Sequence, residues 1–212
     1  MRVESFLRHK ALHGFPWTAA HYGFLALRKV TACEILRVFV SDGSPVSDGQ
    51  VDGYVTRELT PDEVQGCPLT LPQGQEFAAA MKGGARCFVS IFGHRVVGYT
   101  FYSRQSVPLR PGLSLTIPPE CDYSHGSYTA PDHRGKGLAL ARADSRKIAD
   151  RQAAVHRPLA WYVAVDNRAS IAVCDRIPGA RVVGHAAYIA LGRKFFVSSS
   201  AAGKKLGFSL EC

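Results

Sequence analysis

Tyr128-Thr129-Ala130-Pro131-Asp132-His133-Arg134-Gly135-Lys136-Gly137-Leu138-Ala139 is the most informative stretch of the chain. Residues from about 122 to 129 read as a strand, and residues from about 136 to 154 as a helix that stops before His156-Arg157-Pro158. A strand that passes through a turn with two glycines directly into a helix leaves several backbone N–H groups without intrahelical partners, converging on one spot. With the helix dipole, equivalent to about half a positive charge at that end, they make an anion site. Gly135 and Gly137 lack the Cβ atoms that would keep a phosphate from the backbone. Two other glycine-rich phosphate motifs do not fit. A Walker loop needs Lys followed by Ser or Thr after its glycines, and the dinucleotide fingerprint needs a small residue where Leu140 stands, sixth counted from Gly135.

Working outward, Leu159-Ala160-Trp161-Tyr162-Val163-Ala164-Val165 is a continuous apolar run, the pattern of a strand covered on both faces. A short helix follows from Asn167 to Arg176, and one or two closing strands from Arg181 to Val197. Upstream, CFVSIF and RVVGYTFYS flank Gly93-His94 and predict an antiparallel hairpin with a tight turn. Residues 104–119 hold four prolines and read as a surface loop with at most a short strand at Leu113–Ile117. Residues 73–82 read as helical, stopping at Gly83-Gly84. Before them a strand runs from Val51 to Leu59. It leads into Thr60-Pro61-Asp62-Glu63, where Thr60 can cap a helix and Glu63 can reach back to close a capping box.

The first 50 residues mix basic and aromatic side chains, with a helix expected over 18–29, a strand over 34–40, and a boundary in SDGSPVSDGQ, 41–50. They are read as an N-terminal extension covering the domain, or as a membrane-surface or partner helix. The core then runs over 51–197 and a tail over 198–212, all in one domain of 1–212. The expected class is mixed α/β.

The composition, 46% hydrophobic and 20% charged, fits a globular chain with a packed core and excludes wholesale disorder and collagen-like repetition. A net charge of +9 attracts anions, whether nucleic acid, acidic lipid or a phosphorylated ligand. The six cysteines are scattered without a C-x-x-C pair, so no metal site is written here; they read as reduced thiols of a cytoplasmic protein. No apolar stretch reaches the roughly 20 residues of a membrane helix.

The turn matches [Q/R]-x-x-G-x-[G/A] as Arg134, Gly137 and Ala139, and here the sequence resembles the GCN5-related N-acetyltransferase (GNAT) superfamily. Asp166-Asn167-Arg168-Ala169-Ser170-Ile171 adds to the resemblance, looking like the V-x-x-x-N-x-x-[AS] segment of that superfamily. The resemblance covers roughly residues 51–197. It implies a GNAT-like fold, a central mixed and mostly antiparallel sheet splayed between two parallel strands and flanked by helices. It also implies acetyl-CoA as co-substrate and a primary amine of a small or sugar-like molecule as acceptor. The pyrophosphate would lie on the amides of Gly135, Lys136, Gly137, Leu138 and Ala139 near Arg134, and pantetheine along Tyr128 and Thr129, with Asn167 near its arm. Asn167 also suits a plain helix N-cap.

Acyl transfer from a thioester needs a polarised carbonyl, a neutral amine and a proton for the departing thiolate. By the resemblance, a backbone amide at Tyr128 or Thr129 polarises the carbonyl. Asp122 and His125 are candidates for the base, although alternation puts them on opposite faces of their strand. Where the superfamily often has a tyrosine acid, this chain has Cys174, which reads either as an acid or as buried packing; Tyr162 and Tyr188 are alternatives. Other readings stay open: a longer acyl or aminoacyl donor, an acyl-CoA-binding protein without turnover, and a basic nucleic-acid-binding module. The last would interleave aromatics with arginines on one exposed face, whereas here the aromatics fall in apolar strand patterns. A peripheral membrane contact through the basic N-terminus and a homodimer also stay open.

Overall fold

The hairpin at Gly93-His94 forms as its sequence dictates, with β3 (Arg86–Phe92) and β4 (Arg95–Ser103) paired antiparallel about Gly93, whose φ is 60°. It sits inside a larger sheet. In a computed structural model of the chain, placement is described for residues 15, 19, 22, 23, 26, 31–42, 50–60, 62, 63, 77, 81, 83–104, 106–191 and 194–212. Most of the helix expected over 18–29, most of that expected over 73–82 and the turn cluster at 43–49 lie outside these residues, although Ala19, Tyr22, Gly23 and Ala26, and likewise Phe77 and Met81, are helical.

Among the described residues the other strands are β1 (Cys33–Ser41), β2 (Val55–Leu59), β5 (Val107–Arg110), β6 (Leu113–Thr116), β7 (Asp122–Thr129), β8 (Leu159–Ala164), β9 (Ala180–Leu191), β10 (Lys194–Ser199) and β11 (Ser209–Glu211). The helices are α1 (Leu138–Gln152), α2 (Arg168–Cys174) and α3 (Ala201–Lys205). Eight strands form one sheet in the order β10-β9-β1-β8-β7-β4-β3-β2. Neighbours are antiparallel throughout, except that β7 and β8 are parallel. This is the mixed, mostly antiparallel sheet expected from the sequence.

Two placements differ from the sequence reading. Of the segment 1–50 set apart as a covering element, Cys33–Ser41 lies inside the sheet, hydrogen-bonded to β8 on one side and β9 on the other. Residues 104–119, read as a loop, carry two strands of a second sheet, ordered β11-β6-β5. Pro108 is tolerated there because β5 is an edge strand that needs no donor on its outer side. The third strand comes from the tail, with Leu210 opposite Leu115.

The small sheet covers one face of the large one. Leu113, Leu115, Phe208 and Leu210 pack with Leu36, Val38, Val40, Tyr123 and Ala160. Farther along the large sheet, Phe77 is buried edge-on to Tyr99 and Phe101, with ring centroids 4.6 and 5.2 Å apart. The opposite face is covered by α1, packed across β2, β3, β4 and β7, and by α2, whose Cys174 joins Phe39, Phe88, Trp161 and Val163 in the core. At β2 the expected capping box closes: Glu63 accepts from the Thr60 N–H at 2.8 Å, and its own N–H reaches Thr60 Oγ1 at 3.4 Å. No helix among the described residues is long and apolar enough to cross a membrane.

Candidate functional site

β7 and β8 begin as neighbours and then part. Only Asp122↔Leu159 and Tyr123↔Ala160 are paired between them, while β7 stays paired with β4 as far as Thr129 and β8 with β1 as far as Ala164. Each strand follows its outer neighbour, and a wedge opens between them. One cause is a bulge in β7. Between the pairs Tyr99↔Tyr128 and Phe101↔His125, β4 has one residue, Thr100, and β7 has two, Gly126 and Ser127. Gly126 adopts a φ of 59°, and such a bulge bends its strand.

The turn after β7 delivers the open N-terminus of α1 to the head of this wedge. Pro131–His133 form one 3₁₀ turn, then Gly135 and Gly137 adopt φ values of 77° and 78°, which side-chain-bearing residues rarely do. Gly137 is the N-cap and supplies no side chain, and among the described residues no other side chain caps the helix. A Cβ built at Gly135 or Gly137 would meet nothing within 4 Å. Unpaired amides facing open space fit the diphosphate of a coenzyme.

No protein-family model matches the sequence, and none of the curated proteins does. Solved structures match in shape. A Drosophila protein shares 15% identity at a TM-score of 0.50, over 82% of this chain and 57% of its own. A tandem GNAT protein from the clavulanic acid biosynthesis pathway shares 18% at 0.49, over 87% and 57%. A putative GNAT-family acetyltransferase from Novosphingobium aromaticivorans shares 18% at 0.47, over 74% and 64%. The strand order and the parting of β7 from β8 are those of the GNAT-like fold expected from the sequence. At these identities the likeness is one of fold, and the chain spans less than two thirds of the length of each of the three.

Of the residues proposed from sequence for the coenzyme, Tyr128 and Thr129 end β7, Arg134 to Ala139 span the turn and the start of α1, and Asn167 follows β8. Ala130 donates its N–H to Val97 of β4, so strand alternation turns the Thr129 N–H the other way, into the wedge. Of the two amides considered, that of Thr129 is the one facing the wedge. Arg134 is exposed and bonds the Thr129 carbonyl through Nε at 3.0 Å. Lys136 Nζ reaches Tyr54 Oη at 2.8 Å, and the same hydroxyl meets His133 Nδ1 at 2.8 Å. Leu138 buries its side chain beside the free end of α1, and Ala139 follows it in the first turn. Asn167 follows β8 on the far side of the wedge and caps α2, accepting from the Ser170 N–H at 3.1 Å.

The three candidates for proton transfer are placed differently. Asp122 is buried between Arg146 at 2.5 Å, Arg157 at 3.0 Å and Arg104 at 3.2 Å. Burial would raise its carboxyl, but Arg146 and Arg104 outweigh that and hold it below the usual carboxylate range. A carboxylate so engaged joins the strand start to α1 and has little basicity left for a substrate amine. His125 lies on the opposite face, as alternation requires, stacked between Phe101 and Tyr123 at 5.7 and 6.0 Å. Its Nε2 meets Ser103 Oγ at 2.8 Å, and burial pushes its pKa down to about 4, so it is neutral near pH 7. Cys174 accepts the Trp161 indole N–H at 2.9 Å within the apolar cluster under α2, and burial raises its thiol.

Of the alternatives, Tyr188 Oη is engaged by Arg110 at 2.7 Å and Glu34 at 2.9 Å. Tyr162 stands on β8 past its last pairing with β7, stacked 5.9 Å from Tyr123, its phenol pushed up to about 12 by burial. Among the described residues no group of three or more His, Cys, Asp or Glu is placed to hold a metal ion.

One polar residue at the site went unnoticed in the sequence. Arg142, on α1, is 0% exposed beneath the end of β7. Its sequence signal was a set of hydroxyl residues, Ser90, Thr100, Ser127 and Thr129, scattered over three strands whose register could not be read in advance.

Proposed function

We propose that the protein is an acetyl-CoA-dependent N-acyltransferase that acetylates a primary amine on a small or sugar-like acceptor. The observation that carries this reading is the wedge between β7 and β8, opening beside an uncapped helix N-terminus with free space at Gly135 and Gly137. The amides of Gly135 to Ala139 would hold the diphosphate, and the unpaired edge of β7 would take the pantetheine arm as an added strand. The Thr129 N–H would polarise the thioester carbonyl. The ligand supplies an activated acyl group on a thiolate leaving group; the chain supplies orientation, carbonyl polarisation and exclusion of water.

The proton steps are assigned by elimination. With Asp122 held by arginines and His125 a weak base, loss of the amine proton falls to ordered water. Return of a proton to the thiolate falls to Tyr162 rather than to Cys174. The same crowding of candidates away from the wedge favours one second reading, a protein that binds acyl-CoA without turning it over. A screen of amino sugars, polyamines, amino acids and peptides with acetyl-CoA and thiol detection tests both. Thiol release with one acceptor class supports transfer. CoA binding without release across the panel supports the second reading, and absence of CoA binding overturns both.

A further inference from the structure

Arg142 carries a buried charge, and among the described residues it has no counter-charge. Its Nε donates to Thr100 Oγ1 at 2.9 Å and one terminal nitrogen to Ser90 Oγ at 3.1 Å. The other reaches Thr129 Oγ1 at 3.1 Å, the Tyr128 carbonyl at 3.2 Å and Ser127 Oγ at 3.5 Å. Every partner is neutral, and among the described residues no carboxylate pairs with it. The nearby Arg146 contrasts with it, bound to both Asp122 and Asp150. The fold makes room for this group: a Cβ at Gly98 would lie 2.5 Å from its Nη1.

A guanidinium stripped of water and given only hydroxyls is costly, and apolar side chains of the same volume would pack this layer at less expense in free energy. Burial draws the pKa of Arg142 down to about 10, which leaves it charged near pH 7. Its Cα lies about one helical turn inside the free amides of α1, and its head touches the last three residues of β7. An uncancelled cation therefore lies under the place where strand end and helix start meet.

We infer that Arg142 is a positioning residue for the anionic part of the ligand, its charge left uncancelled by the protein so that a diphosphate on the α1 amides completes the pair. The inference rests on the coenzyme reading above and adds the residue that sets the affinity for the anion. Charges about 10 Å apart at an effective dielectric of about 20 change an affinity by roughly tenfold or more.

Calorimetry with CoA on Arg142→Gln, which keeps hydrogen-bonding capacity without charge, and Arg142→Lys, which keeps charge without the fork, tests it. The glutamine variant is expected to bind CoA at least about tenfold more weakly, and the lysine variant to restore affinity to within about threefold. Inorganic pyrophosphate should follow the same order. Equal weakening in both variants would show that Arg142 merely braces β7, and unchanged affinity in the glutamine variant would show no role; either overturns the inference. Should the glutamine variant not fold, the combination Arg142→Met, Thr100→Val and Ser90→Ala removes charge and hydroxyls together, leaves few orphaned polar groups, and must show the same loss. Absence of CoA binding by the unaltered protein overturns the coenzyme reading and this one with it. Binding that ignores Arg142 overturns this one alone.

Discussion

Replacing Gly137 by Glu separates ligand binding from folding. Gly137 adopts a φ of 78°, so any side chain there costs about 1–2 kcal/mol of backbone strain, yet a Cβ meets nothing within 4 Å and no clash adds to it. A carboxylate at the start of a helix recovers about 0.3–1 kcal/mol from the helix dipole. The net loss of stability is therefore about 1 kcal/mol, or about 2–4 °C in Tm for a chain of this size. Binding suffers far more. A carboxylate about 5 Å from a phosphate, at an effective dielectric of about 20, opposes it by about 3 kcal/mol, up to about a hundredfold in affinity before salt screening. Calorimetry with CoA should thus show a loss of at least about tenfold in Gly137→Glu, while Gly137→Ala shares the loss of stability and keeps most of the affinity. Equal CoA affinity in Gly137→Glu and the unaltered protein would refute the placement of the diphosphate.

Asp122→Asn is expected to destabilise the protein by about 3 kcal/mol in urea unfolding, because buried Arg146 loses one of its two carboxylate partners; a change below about 1 kcal/mol would contradict a structural role. His125, with its folded pKa near 4 against 6.5 when exposed, binds a proton more readily in the unfolded chain. Stability should be complete above about pH 6.5 and fall by up to about 3 kcal/mol toward pH 4, and His125→Gln should flatten that slope in pH-dependent denaturation. Cys174→Ala should retain turnover while losing about 1–2 kcal/mol of stability with the Trp161 contact; lost turnover with normal CoA binding would return the thiol to the mechanism.

Features encoded within a few residues were legible in the sequence. The Gly93-His94 hairpin, the Thr60–Glu63 box, the glycine turn at 135–137 and the cap at Asn167 each depend on local backbone chemistry, and each is in place. What escaped depends on distant partners. Residues 107–116 look like a proline-rich loop until Ser209–Glu211 arrives from the tail to complete their sheet. Asp122 looks like a free acid until Arg104, Arg146 and Arg157, from three separate segments, close around it. Alternation placed Asp122 and His125 on opposite faces correctly, but only register could reveal the neighbours waiting on each face.

β1 joins the two parts of the large sheet, since β9 and β10 reach β8 only through it. A version trimmed to begin after residue 42 would therefore cut the closing hairpin adrift rather than yield a minimal catalytic unit. During synthesis, the apolar segment CEILRVFVS leaves the ribosome long before its partners, because Ser41 must wait for Leu159 and Ala180. Until then it offers two unsatisfied edges to any passing strand, which makes this short segment the place where newly made chains would aggregate or recruit a chaperone.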